Sequence, residues 1–318
     1  MPTGEGFQPV SGDTIYLSSV SPRDKIWEKH RANADAIKNL YKGTIYDCYA
    51  HRISGCSGLL GFKFVVDPET GEVKFKLSDC RFCRVRFCTM CTWRRQLIWR
   101  ARFFVALPEI LVQYPKARFL FLTLTVKNCP IGELRQTLAW MNKSWVRLTQ
   151  RKQFPALGWL KSVEVTKSII GEVHPHFHAI LMVNPGYFGA GYLSQEKWTQ
   201  LWKESLRVDY NPQLDIRVVK SATSNSGELT TGLMQGFCET LKYSLKPEDL
   251  IVDKDWLVEL TTQLHKTRAV AVGGIFRKYI SEEEPEEEIA TDDKNESGLS
   301  VWFGWREMIQ HYSKLDFF

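Results

Sequence analysis

Of the seven histidines in this 318-residue chain, three fall within five positions, in His174-Pro175-His176-Phe177-His178. Side chains alternate between faces along an extended strand, so His176 and His178 share one face and Phe177 takes the other. Two neighbouring imidazoles on a rigid strand form a natural pair of ligands for a divalent ion. The third ligand is expected from the adjoining strand, where Glu164 and Thr166 share a face that excludes Val163 and Val165. His174 is the alternative third ligand. Two imidazoles and one carboxylate leave positions open on an ion, which can then polarise a phosphoryl oxygen. A surface strand with incidental histidines would explain one of the three more readily than all three beside an acid.

A second cluster is built from cysteines. Cys80, Cys83, Cys88 and Cys91 crowd into twelve residues, and Cys56 lies one hairpin upstream. The first residues are polar and carry no basic-then-apolar secretion pattern, which sets the expectation of a cytoplasmic protein whose clustered thiolates bind zinc. A closed structural zinc site needs four thiolates. Only four residues, Arg84 to Phe87, separate the two cysteine pairs, which makes wrapping all four round one ion tight. Cys56, Cys83, Cys88 and Cys91 are therefore the expected set, with Cys80 as the alternative.

A third constellation lies on a helix expected from about residue 229 to Lys246 and stopped by Pro247. Met234, Phe237, Cys238, Leu241 and Leu245 form its apolar face, with Glu239, Tyr243 and Lys246 opposite and Lys242 at the edge. Glu239 and Tyr243 are four residues apart, one turn from each other. A tyrosine at its free pKa of about 10 is a weak nucleophile at neutral pH and would need a metal or a base to act. Taken alone, this pattern is weak.

The elements that must position these groups follow from periodicity. Residues 24–53 read as helical, 59–64 and 72–77 as a hairpin, and 93–107 as a basic helix closed by Pro108. From residue 118 the order reads strand, helix, strand, strand, helix, strand, helix. That βαββαβ layout predicts an α+β fold with a central antiparallel sheet and helices on one face. A further helix over 254–265 and a strand over 269–272 follow. The expected division is a helical, zinc-binding region over 1–115, a catalytic unit over 116–280, and an acidic loop with an aromatic segment over 281–318.

The net charge of +6 conceals an uneven distribution. Between Ser281 and Glu296 nine acidic residues face only Lys294, whereas Arg81 to Arg118 holds nine basic residues against Glu109 alone. A basic stretch interleaved with tryptophan and phenylalanine suits a phosphate backbone with bases stacked nearby. Arg84, Arg86, Arg94, Arg95, Arg100 and Arg102 are the candidate DNA contacts. The acidic run reads as a disordered loop. No apolar run is long enough to span a membrane.

Together these residues resemble the replication initiators of small rolling-circle plasmids, within the His-hydrophobe-His (HUH) endonuclease superfamily. The likeness covers roughly residues 56–279. Phe121-Leu-Thr-Leu-Thr125 stands as the first motif, Val163-Glu-Val-Thr166 with His174-Pro-His-Phe-His178 as the second, and Glu239-x3-Tyr243 as the third. Cys83-x4-Cys88-x2-Cys91 precedes them. Thr89 departs from the proline usual in that knuckle, and the long acidic insert has no counterpart.

The resemblance implies an HUH palm and a metal-dependent endonuclease and strand transferase. In it Tyr243 attacks a phosphodiester at the plasmid's double-strand origin and forms a 5′-phosphotyrosine. Glu164, His176 and His178 hold Mg²⁺ or Mn²⁺, Glu239 activates water for termination, and Lys246, rather than Lys242, orients the phosphate or the tyrosine. The implied partners are origin DNA, single-stranded or supercoiled, with a host helicase and polymerase. Three alternatives remain open: a non-enzymatic zinc-containing DNA-binding protein, a metal-dependent hydrolase using water, and a mobilisation relaxase or transposase with the same chemistry.

Overall fold

Alternating apolar and polar residues build two antiparallel sheets, joined by one long helix. The computed structural model describes residues 14–66, 69–168, 171–219, 233, 250–251, 253–281 and 300–315. In chain order the N-terminal part holds α1 (Leu17–Val20), α2 (Ile26–Tyr41), α3 (Asp47–Ser54), β1 (Leu59–Val66), β2 (Val73–Cys80) and α4 (Thr89–Gln113). Then follow β3 (Arg118–Thr125), the two-residue β4 (Cys129–Pro130), α5 (Leu134–Thr149), β5 (Ala156–Lys167), β6 (Glu172–Val183), α6 (Gln195–Leu206) and β7 (Leu214–Val218). The last described elements are α7 (Lys254–Leu264), β8 (Val270–Gly274), β9 (Ser300–Arg306) and β10 (His311–Leu315). The expected helix over 229–246, the loop before it and the acidic run lie outside the described residues, apart from Leu233 and Ser281.

The larger sheet has the order β7-β3-β6-β5-β8, with β4 pairing β6 at one end. All its pairs are antiparallel. On one face Leu122, Leu124, Val163, Val165, Phe177 and Leu181 pack beneath α5 and α6. The expected stripe of α5, Leu134, Leu138, Met141, Trp145 and Leu148, is buried there, each side chain worth roughly 1.5–3 kcal/mol. Ser194 caps α6 by accepting from the Lys197 amide at 3.3 Å, as its position before an apolar-periodic run predicts.

The opposite face is divided, and there the structure corrects the expectation of helices on one face only. Phe119, Leu160, Ile180, Met182 and Val272 form a second core with Trp99, Phe103, Leu107 and Ile110 of α4. Further along the same strands this face turns polar and carries Thr123, Glu164, His176 and His178. α4 therefore covers half of the sheet and leaves the histidines beyond its edge.

α4 also runs through Pro108 instead of ending before it. A proline inside a helix costs about 3 kcal/mol through its missing N–H and ring clash. Leu107 and Ile110 on either side are buried in the second core, and that packing outweighs the loss. A second difference lies upstream, where residues 24–53 form two helices. Gly43 turns the chain between them at φ +66°, a conformation that costs glycine little.

The smaller sheet has the order β10-β9-β1-β2. The aromatic C-terminal segment thus returns as a hairpin, with β9 paired to β1 in the register Leu60↔Phe303 and Phe62↔Val301. Phe62, Phe303 and Tyr312 fill its inner face. An ion network fastens this hairpin to α2. Asp35 receives Arg31 and Lys38, each at 2.9 Å, and the Trp305 indole at 2.8 Å, while Lys38 also reaches Glu307 at 2.8 Å.

Candidate functional site

Strand register assembles the polar half of the large sheet. β5 pairs β6 with Glu164 opposite His176 and Ser162 opposite His178, and β3 pairs β6 with Thr123 opposite His178. Directly opposed residues on antiparallel strands share a face, so Glu164, His176 and His178 converge. One carboxylate oxygen, Glu164 Oε2, lies 3.1 Å from His176 Nε2 and 2.6 Å from His178 Nε2. The three ligand atoms are all within 4.8 Å of one another.

Both imidazoles are held from behind. His176 Nδ1 lies 3.2 Å from the His174 carbonyl, and His178 Nδ1 lies 3.1 Å from Thr123 Oγ1. A carbonyl only accepts, so His176 Nδ1 carries a proton, and in the neutral ring it is the Nε2 lone pair that faces the carboxylate oxygen. A lone pair and a carboxylate oxygen at 3.1 Å repel unless they share a proton or a metal cation. The donor set therefore fits a divalent ion, with oxygen and imidazole ligands open to the solvent side. Burial pushes the Glu164 carboxyl up, but hydrogen bonds and charge from His176 and His178 outweigh it and bring it down to about 2. It is ionised, as a ligand must be.

His174 lies beside this trio, its ring 5.3 Å from that of His176, but it is engaged elsewhere. Its Nδ1 is 2.8 Å from Asn128 Oδ1, and it is not among the three clustered residues. On the far face of the sheet, Lys161 is 3 % exposed. Its ammonium bonds Asn142 Oδ1 at 2.7 Å and lies 3.7 Å from the centre of the Phe177 ring. Burial pushes this amine down to about 7. Residue pattern gave no warning of it, since a lysine in an alternating strand reads as solvent-facing.

The second cluster is enclosed. Cys56, Cys83, Cys88 and Cys91 come together where α3 ends and α4 begins. Cys91 Sγ lies 3.7 Å from Cys56 Sγ and 3.6 Å from Cys83 Sγ, and Cys88 Sγ lies 3.6 Å from Cys56 Sγ. A zinc–sulfur bond of about 2.3 Å sets the edge of a tetrahedron near 3.8 Å, so the spacing fits a tetrahedral ion. The Cys83 amide donates to Cys56 Sγ at 3.4 Å and the Arg84 amide to Cys91 Sγ at 3.2 Å, with Arg84 at φ +60° to aim its N–H inward. Such donors favour thiolates. Cys80 stands apart, its thiol directed at the Arg81 carbonyl at 3.8 Å.

The candidate DNA-contacting arginines divide into two groups. Arg86 donates to the Leu264 and Thr267 carbonyls, tying the cysteine element to the end of α7. Arg95 is buried and donates to the Arg84 carbonyl at 3.0 Å, and Arg94 lies against both the Trp27 and Phe82 rings, 5.7 Å from each centre. Arg84 is exposed, and Arg100 and Arg102 are half-buried. Arg102 lies over the Trp99 ring. Tyr243, Glu239 and Lys246, with Lys242, lie outside the described residues. Among the described residues, no helix is long and apolar enough to cross a membrane.

Comparison with known proteins agrees with the motifs. A replication protein family model matches residues 74–313. A "Protein rep" from Streptococcus pneumoniae serotype 2 is 34% identical over 306 residues, spanning 91% of this chain and 92% of its own length. A "Protein rep" from Bacillus amyloliquefaciens is 34% identical over 282 residues, 82% of either chain. A "Replication protein" from Staphylococcus aureus is 29% identical over 223 residues, 64% of this chain and 93% of its own. No solved structure matches. On this agreement the chain belongs to the replication protein family, that of the plasmid replication initiators its motifs resemble.

Proposed function

We propose that this initiator starts rolling-circle replication by nicking one strand of the plasmid's double-strand origin and later rejoining it, as an HUH endonuclease. The observation that carries the reading is the convergence of His176 Nε2 and His178 Nε2 on one oxygen of Glu164, with both Nδ1 atoms already engaged. That geometry asks for a cation on an accessible sheet face. Bound there, Mg²⁺ or Mn²⁺ supplies Lewis-acid polarisation of a phosphoryl oxygen. The two imidazoles and the carboxylate keep their lone pairs aimed at that position, and α4 and the apolar half of the sheet keep it rigid.

In this reading the Tyr243 hydroxyl attacks the scissile phosphorus and loses its proton, while the bond from phosphorus to the 3′-oxygen breaks. The products are a 5′-phosphotyrosine and a free 3′-hydroxyl, which a polymerase extends. The adduct retains the energy of the broken bond, so rejoining by a 3′-hydroxyl needs no ATP. Glu239 activates water to end the cycle, and Lys246 orients the phosphate. These three residues enter from the sequence motif alone. Zn²⁺ held by Cys56, Cys83, Cys88 and Cys91 is structural and fixes the start of α4. Arg84, Arg100 and Arg102 meet origin DNA in this account, while Arg86, Arg94 and Arg95 hold the element that presents them. The catalytic unit spans residues 116–280, and the C-terminal hairpin completes the zinc-bearing region over 1–115. A host helicase and polymerase act with it in the cytoplasm.

Tyr243→Phe tests the reading. Nicking of a supercoiled plasmid carrying the origin is expected to vanish, with DNA binding kept within a few-fold. The native chain should leave protein on the 5′ end of cleaved DNA in a form that resists denaturant. Normal nicking by the variant would refute the assigned nucleophile. Cleavage without an adduct would favour attack by water, and no cleavage at all would favour a DNA-binding protein without activity.

A further inference from the structure

We infer that Thr123 is a positioning residue for the ion site, fixing the ring rotation of His178; the inference rests on the proposed ion site. The two imidazoles are locked by different means. His176 Nδ1 is matched with a main-chain acceptor, the His174 carbonyl at 3.2 Å. His178 Nδ1 is matched with a side chain, the Thr123 hydroxyl at 3.1 Å. That contact is set by register, since Thr123 and His178 are direct partners across β3 and β6, and alternation puts both on the ion-binding face.

Among the described residues, the rings packed against His178 do not discriminate between the two sides of its own ring. Phe121 stacks on the ring at 5.5 Å between centroids and 19° between planes, and the His176 ring meets it edge-on at 4.8 Å. Stacking restrains the plane of an imidazole but allows a half-turn about its second torsion, which is broad and roughly two-fold. That half-turn would exchange Nδ1 with Cδ2 and Nε2 with Cε1, and so carry the ligand atom away from Glu164. A hydroxyl at Nδ1, which can accept from or donate to that nitrogen but not to a ring carbon, makes one of the two orientations favourable. It leaves Nε2 facing the Glu164 oxygen 2.6 Å away. Partners of this kind behind a ligand histidine are typically worth about 10–100-fold in metal affinity.

The test uses the full chain with Mn²⁺ as the probe, binding being measured by electron paramagnetic resonance. Thr123→Val keeps the β-branched shape and removes the hydroxyl, whereas Thr123→Ser keeps the hydroxyl and removes the methyl. Valine is expected to weaken Mn²⁺ binding by about 10–100-fold, with serine within about three-fold of the native chain. Both should melt within a few degrees of it without metal. Nicking by the valine variant should recover as Mn²⁺ is raised. Native-like Mn²⁺ affinity in Thr123→Val, or equal losses in both variants, would overturn the inference while leaving the ion site standing. His178→Ala separates the two readings. If it binds Mn²⁺ as tightly as the native chain, the site itself is wrong and the inference falls with it.

Discussion

The molecule carries two clusters of metal-binding groups, and they are built in opposite ways. Cys56, Cys88 and Cys91 are fully buried, and the four thiols sit at an irregular junction of a loop, a hairpin end and a helix start. Glu164, His176 and His178 sit on paired strands, with side chains 11–13% exposed. Four thiolates saturate a tetrahedral ion and leave it nothing to do but hold the chain. Two imidazoles and one carboxylate would leave coordination positions on an ion open, and in the proposed function a phosphate takes one of them. The comparison teaches that ligand number and scaffold distinguish a structural site from a reactive one before any ion is seen. α4 joins the two, starting in the cysteine cluster and ending over the sheet that bears the histidines.

The sharpest way to break this comparison is to remove one ligand from each cluster. Cys88→Ser should abolish zinc content and unfold the smaller sheet and the start of α4, because the binding free energy of a structural zinc, on the order of 10 kcal/mol, is folding free energy. Metal analysis with circular dichroism checks this outcome. Glu164→Ala should do the reverse. Nicking should fall by about 10²–10³-fold or more, while the melting temperature without metal stays within a few degrees. If Glu164→Ala unfolds the chain, or Cys88→Ser leaves it folded and metal-free, the assigned roles are reversed.

A smaller effect concerns the far side of the reactive strand. Lys161 is buried against Phe177, and its amine is lowered from 10.5 to about 7. The unfolded chain therefore binds more protons than the folded one between those values. Stability should rise with pH from about 7 towards 10.5, by at most about 1.4 kcal/mol per pH unit from this group. Below pH 7 the full cost of the buried ammonium is present. Lys161→Met should flatten that slope and stabilise the chain at neutral pH, as urea unfolding at several pH values would reveal. An unchanged slope would mean that the ammonium is solvated.

The two clusters were also legible in the sequence to different degrees, for physical reasons. Period-two alternation puts His176 and His178 on one face, and the pairing of the consecutive strands β5 and β6 brings Glu164 opposite His176, so local pattern sufficed for that trio. Selecting Cys56 over Cys80 needed only the shortness of the Arg84–Phe87 link, and the geometry brings the same four thiols together. What stayed hidden depends on distant partners. Pro108 is carried inside α4 by a core that forms only when the sheet is present. The pairing of β9 with β1 joins segments more than 200 residues apart, beyond any local signal. Arg94 and Arg95 read as surface charge, yet one packs against two aromatic rings and the other bonds a main-chain carbonyl.

The central claim is that Glu164, His176 and His178 grip a single divalent ion on the open sheet face. Anomalous diffraction from crystals of the full chain grown with Mn²⁺ tests it most directly. The account predicts one manganese peak within about 2.3 Å of both Nε2 atoms and the Glu164 oxygen. A peak elsewhere on the sheet, or density showing Glu164 bonded to protonated imidazoles with no ion between them at saturating Mn²⁺, would contradict it.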